Sequence, residues 1–253
     1  MNSFKEKNMR SIILRIETNR GLVLPFAHSH TLQGLVYELL SFDPVLSSGL
    51  HNKRDKRTDA MKLFCFSDLR GRYRKNTAER TLVYNGALSF EVRSPNDIII
   101  ETIAKSVRDD PLIVINGCEC AITGFRIDSP EFPCNILDMR MNTPVTVYRS
   151  GADKKRIYYT PEEAEFYEII RSNLLKKYLL VFGAPYEGEL AFTCLDAASC
   201  RRVVTRYKGD IINAFLGSYR LEASPQMLAI AYYCGIGSKN SMGFGFVDPP
   251  PIQ

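Results

Sequence analysis

The side chains of this 253-residue chain best suited to passing protons near neutral pH are its three histidines, at positions 28, 30 and 51. His28 and His30 stand two apart in an extended stretch, LPFAHSH, a spacing that could bring both to one metal ion. No Asp, Glu or Cys is near them in sequence to complete such a site, so the expectation is no metal and no other cofactor. His28 then reads as a buried structural hydrogen-bonding group. His51 differs, because it opens a basic stretch: from His51 to Lys75, nine Lys and Arg face only Asp55, Asp59 and Asp68. A local patch of that sign is the footprint of a polyanionic partner, with Lys53, Arg54, Lys56 and Arg57 as candidate contacts. A solvated surface loop is the competing reading.

Two further side chains complete a possible reaction centre. Leu32, Leu35, Val36, Leu39 and Leu40 recur at helical spacing over Thr31 to Leu40, and Tyr37 falls off that apolar stripe, one turn beyond Gln33. Lys62 heads KLFCFS, a short strand, where an ammonium is held more firmly than on a loop. Imidazole, phenol and fixed ammonium suit RNA cleavage by its own ribose 2′-OH. One proton must leave that hydroxyl, another must reach the departing 5′-oxygen, and positive charge must face the phosphoryl oxygens. Tyr37 suits donation or positioning better than base work, since a phenol ordinarily titrates near 10. Lys53 and Lys56 compete with Lys62 for the cationic role.

Near the C-terminus lies CGIGSKNSMGFGFV, Cys234 to Val247. Gly235, Gly237, Gly243 and Gly245 flank Ser238, Lys239 and Asn240, so the loop could present several N–H groups, a lysine and hydroxyls to one anion. A purely structural helix cap and turn is the alternative. The motif follows a helix and precedes a strand, the reverse of a dinucleotide fingerprint, and it lacks the Gly-Lys-Ser/Thr ending of a Walker loop.

Helix, GIGSKNSMGFG and terminal strand together resemble the glycine-rich signature of the RAMP superfamily of CRISPR-associated RNA-binding proteins. LPFAHSHTLQGLVY, His51 and KLFCFS narrow the resemblance to the sixth CRISPR-associated (Cas) family, endoribonucleases that process precursor CRISPR RNA. The resemblance spans nearly the whole chain in order. It implies His51, Tyr37 and Lys62 as catalytic residues, repeat RNA as substrate, and products ending in 5′-hydroxyl and 2′,3′-cyclic phosphate. It implies a CRISPR effector complex as a further partner, with the protein itself a monomer or homodimer. A non-catalytic RAMP subunit holding guide RNA is the alternative, disfavoured because a scaffold has no need of the histidine, tyrosine and lysine.

Element order agrees with an α+β protein of two tandem ferredoxin-like (βαββαβ) domains, 1–128 and 129–253, divided where Ser129-Pro130 and Phe132-Pro133 interrupt the pattern. In the first half we read strands at Met9–Glu17 and Lys62–Ser67, then a hairpin turning at Asn85-Gly86. A helix opens at Ser94-Pro95 with Ile98, Ile99, Ile103 and Val107 inward, and Leu112–Ile127 reads as strand again, broken near Asn116-Gly117. In the second, Thr160-Pro-Glu-Glu caps a helix running to about Tyr178, with Lys176-Lys177 favourably placed at its end. Pro225–Cys234 is the last helix. Tyr73, between Arg72 and Arg74, is a candidate base-stacking residue in a loop. Seven scattered cysteines without a Cys-x-x-Cys motif read as core residues, and the absence of an apolar signal or membrane segment points to the cytoplasm and away from membranes.

Overall fold

The computed structural model describes residues 9–44, 63–151, 155–207 and 210–248. Its first half runs β1 (Arg10–Pro25), α1 (Ser29–Leu40), β2 (Cys65–Phe66), β3 (Arg70–Asn76), β4 (Thr81–Ser94), α2 (Asp97–Asp109), β5 (Leu112–Ile115) and β6 (Cys118–Asp128). The second runs β7 (Ile136–Met141), β8 (Tyr148–Ser150), β9 (Arg156–Tyr158), α3 (Ala164–Phe182), β10 (Ala191–Cys194), β11 (Arg201–Tyr207), β12 (Asp210–Leu216), β13 (Ser218–Glu222), α4 (Pro225–Cys234) and β14 (Val247–Asp248).

Most strands form two antiparallel sheets, one in the order β2-β4-β1-β6-β5, with β3 also on β4, and another in the order β10-β13-β7-β14, while β8–β9 and β11–β12 pair as separate hairpins. Reduced to the strands that flank the helices, the two sheets share one spatial order: second, third, first, fourth. That is the ferredoxin-like arrangement, present twice. Each sheet has its own core. Ile12, Leu14, Phe90 and Val92 pack with Leu35, Val36, Ile100 and Ile103 in the first; Met139, Tyr219 and Leu221 pack with Phe166, Ile170, Leu228 and Ala231 in the second.

Several elements differ from the sequence reading, each for a local reason. Asn85-Gly86 is no turn: β4 runs straight through it, because the long β1 pairs with β4 on both sides. The irregularity is in β1, which slips register between Thr18 and Leu22, and at Gly21 a Cβ would stand 2.8 Å from the Asn85 amide oxygen. Asn116 and Gly117, both at positive φ, do make the two-residue turn between β5 and β6. On α2, Ile98 faces solvent while Ile99, Ile100, Ile103 and Val107 are buried, and the Asn96 side chain caps the helix by accepting the Ile98 N–H. Helix α3 continues past Tyr178 to Phe182 and ends at Gly183, so Lys177 lies inside it and is buried. Thr160-Pro-Glu-Glu precedes this helix rather than capping it: α3 begins at Ala164 with Glu163 at its N-cap, and Pro161 lies in the turn before it, where Glu163 Oε2 accepts the Thr160 N–H at 2.6 Å.

The halves are joined through polar contacts. Arg93, 2% exposed, lies between the rings of Tyr232 (3.5 Å) and Phe246 (3.8 Å). Its Nε donates to Glu91 at 2.6 Å and its Nη1 to the Val247 carbonyl at 2.7 Å. Arg70 extends the network, reaching Glu91 at 3.0 Å and Asp248 at 2.6 Å. Burial opposes charge on Glu91, but Arg93 and then Arg70 more than offset it and hold its carboxyl below the usual range.

Candidate active site

Helix α1 buries Leu32, Leu35, Val36, Leu39 and Leu40 against the first sheet, and that choice fixes the rest of its surface. His30, Gln33, Gly34 and Tyr37 are three, four and seven positions apart, so they share one face of α1, on which Gln33 is buried and Tyr37 packs at the edge of the first core. Tyr37 is half-buried, its ring edge-on to Phe64 with centroids 6.3 Å apart. Burial raises its phenol pKa, which keeps the hydroxyl protonated for positioning and disfavours service as a base. Phe64 belongs to the KLFCFS stretch, of which the residues from Leu63 onward are described. His51, Lys62, Lys53, Arg54, Lys56 and Arg57 lie outside the described residues.

The second half of the chain supplies partners that could not be assigned from sequence. At the end of β11, Tyr207 donates its hydroxyl proton to Gln33 Oε1 at 2.6 Å, and the exposed His30 ring sits 5.3 Å from the Tyr207 ring. Gln33 Nε2 donates in turn to the Ser241 carbonyl in the glycine-rich loop at 2.8 Å. The α1 face that carries Tyr37 is thus tied to the β11–β12 hairpin and to that loop. The spacing of His30 and Gln33 from Tyr37 was available in the sequence; Tyr207, 174 residues from Gln33, left no such trace. His28 takes the structural role expected of it, its ring nitrogens 2.9 Å from the Pro25 carbonyl and 2.6 Å from Asp68. Burial alone would lower its pKa, but the hydrogen bond and charge of Asp68 raise it overall. Among the described residues no three His, Cys, Asp or Glu side chains gather as a metal site would require.

The glycine-rich loop departs from the anion cradle that its composition suggested. The N–H groups of Ile236, Ser238, Met242, Gly243 and Gly245 are all taken by backbone carbonyls, including Thr146 and Pro144. Gly235, Gly237, Asn240, Gly243 and Gly245 are buried. The Asn240 amide donates to Ile236 and Phe244 at 2.9 Å each. Beneath it Lys177, 2% exposed, donates to Gly235 O at 2.7 Å, Gly237 O at 3.1 Å and Asn240 Oδ1 at 2.7 Å. Burial pushes this ammonium down to about 8. At Gly243, with φ 85°, a Cβ would stand 2.9 Å from the Phe66 ring and 3.2 Å from Ser29, so this glycine lets the loop seat on the start of α1. Of the residues assigned to the cradle, Ser238 and Lys239 alone reach the surface. The Lys239 ammonium lies 5.2 Å from the Tyr148 ring centre; burial, then nearby Arg156, lower its pKa.

Family models for the CRISPR-associated protein Cas6 match residues 23–126 with the N-terminal part and 127–249 with the C-terminal part. The chain belongs to the Cas6 family. It is 27% identical over 241 residues to the CRISPR-associated endoribonuclease Cas6 1 of Methanocaldococcus jannaschii, covering 93% of this chain and 91% of that protein. A solved structure of a CRISPR-associated Cas6 protein superposes with a TM-score of 0.77 at 26% identity, over 95% of this chain and 98% of the other. A RAMP protein described as binding different RNA substrates shares the fold, with a TM-score of 0.79 at 18% identity over 95% and 99% of the two chains. The Cas6 match accounts for two successive ferredoxin-like units in one chain. No helix among the described residues is long and apolar enough to cross a membrane.

Proposed function

We propose that this protein is a metal-independent endoribonuclease that cuts CRISPR repeat RNA and so releases crRNAs from their precursor. The ribose 2′-oxygen attacks the adjacent phosphorus as its proton is removed. The bond from phosphorus to the 5′-oxygen breaks and that oxygen takes up a proton, leaving a 2′,3′-cyclic phosphate and a 5′-hydroxyl. His51 transfers protons, Lys62 stabilises the charge that develops on the phosphoryl oxygens, and Tyr37 positions the phosphate or donates. Lys53, Arg54, Lys56, Arg57, Ser238 and Lys239 contribute phosphate contacts.

The observation that carries this reading is the place of Tyr37. It stands on α1 against Phe64, one turn from Gln33, through which that helix face is bonded to the β11–β12 hairpin and the glycine-rich loop. A second assignment of the proton carrier rests on a specific observation: His30 is exposed on the same face of α1, against Tyr207. Cleavage of a repeat RNA in EDTA by wild type, His51→Ala and His30→Ala tests both. We expect wild type to cut, and His51→Ala to lose on the order of 100-fold or more in rate, in line with loss of a general acid–base group, while binding RNA within a few-fold of wild type. If His30→Ala carries that loss instead, the proton role moves to α1. A deoxyribose beside the scissile phosphate should stop the reaction; continued cutting would mean that water is the nucleophile.

A further inference from the structure

The strongest basic feature outside the Tyr37 site is strand β3. Its sequence, RGRYRKN, has no apolar alternation and reads as loop, yet it pairs with β4 from Arg70↔Ser89 to Asn76↔Thr81. Among the described residues β4 is its one strand neighbour, its other edge is open, and Gly71 to Lys75 are exposed. The first arginine is occupied: Arg70 is bound to Glu91 and Asp248. The next three cations are different. Arg72, Arg74 and Lys75 are exposed, and among the described residues none has a carboxylate partner. Between them Tyr73 is 49% exposed, its ring propped 5.3 Å from that of the buried Tyr84.

Alternation along a strand sends Arg72 and Arg74 to one face of the sheet and Tyr73 and Lys75 to the other, with like residues roughly 6.6 Å apart. A polymer lying along the open edge would meet cations from both sides and an aromatic ring held by a second ring. Charged edge strands also occur simply to prevent edge-to-edge aggregation. A guard of that kind gains nothing from a half-exposed tyrosine at its centre, whereas single-stranded nucleic acid uses that combination: charge for the backbone, aromatic faces for the bases. The strand also borders the other site. Tyr84 donates to the Leu69 carbonyl beside Asp68, and Asp68 holds His28 at the entrance to α1.

We propose that the open edge of β3 is a second contact surface for single-stranded RNA, with Arg72, Arg74 and Lys75 on phosphates and Tyr73 stacked on a base. The inference rests on the RNA reading above and adds a region of contact outside the cleavage centre. The test measures binding of a fluorescein-labelled, mixed-sequence single-stranded RNA in EDTA across a salt series. It compares wild type, Arg72→Glu/Arg74→Glu, the milder Arg72→Ser/Arg74→Ser, and Tyr73→Ala, each checked for folding by thermal melting. Both double variants should bind at least tenfold more weakly at low salt, and the slope of log affinity against log salt should flatten by about 1.4, the value for two lost single-strand phosphate contacts. Tyr73→Ala should weaken binding roughly tenfold while keeping the slope, as loss of one stacked base would. Folded double variants that match wild type in affinity and slope would overturn the proposal and leave β3 as edge protection. Wild type that ignores RNA at low salt would overturn the nuclease reading, and this one with it.

Discussion

Two groups of cations in this molecule make opposite use of the same charge. Lys177, Arg93 and Arg70 are turned inward: the first holds three oxygens of the glycine-rich loop, and the others join the halves through Glu91, Val247 and Asp248. Arg72, Arg74 and Lys75 lie a few residues from Arg70 and are turned outward, without carboxylate partners among the described residues. A basic residue in this chain is therefore no guide to ligand contact until its oxygens have been found. Inward cations should be costly to remove and indifferent to RNA; outward ones should be the reverse.

The sharpest way to break that contrast is Lys177→Met. It removes the donor but leaves the Gly235 and Gly237 carbonyls and the Asn240 side chain buried, so we expect a loss of about 3–4 kcal/mol in urea unfolding, from several unsatisfied polar groups at once. Near-wild-type stability would show that the loop re-forms its bonds without the ammonium. A smaller effect belongs to Glu91. Its carboxyl is held below the ordinary value of 4.5, so it stabilises the fold above that pH and loses this contribution as pH falls through its folded-state pKa. Urea midpoints followed from neutral to acid pH should therefore fall more steeply for wild type than for Glu91→Gln; parallel curves would remove Glu91 from the acid response. The smallest effect should come from Arg72→Ser/Arg74→Ser, within about 0.5 kcal/mol in the same assay, as surface changes without partners usually are. A large loss there would place β3 with the inward group.

How much of this was legible in the sequence depended on how far away the deciding partner lay. Pro225–Cys234 was readable as a helix because its start, a proline in the first turn, and its end, a glycine, are both local. The α1 stripe was readable for the same reason, and with it the displacement of Tyr37. Asn85-Gly86 misled because a turn dipeptide signals a hairpin only where its flanks pair with each other, and here both pair with β1. Strand β3 was missed because an edge strand bearing charges on both faces has no apolar period. Lys177 looked like a helix-end cation, since the oxygens that bury it come 58 to 63 residues later. The glycine-rich stretch announced a special backbone, but its composition could not tell whether its N–H groups faced outward or were already bonded. Tyr207 and Gln33 met only in three dimensions.

The guanidinium of Arg93, held between two rings from the other half of the chain, bears on how such proteins can diversify. Its position, the ring at 246 and the ring at 232 must be inherited together, because a chimera that grafts one half onto a stranger's other half would strand a desolvated cation opposite an unmatched surface. Recombination at the connector between the halves is thereby penalised, although each half carries a sheet and core of its own. Such a chain should change its RNA preference by substitution along its outward faces rather than by exchanging modules.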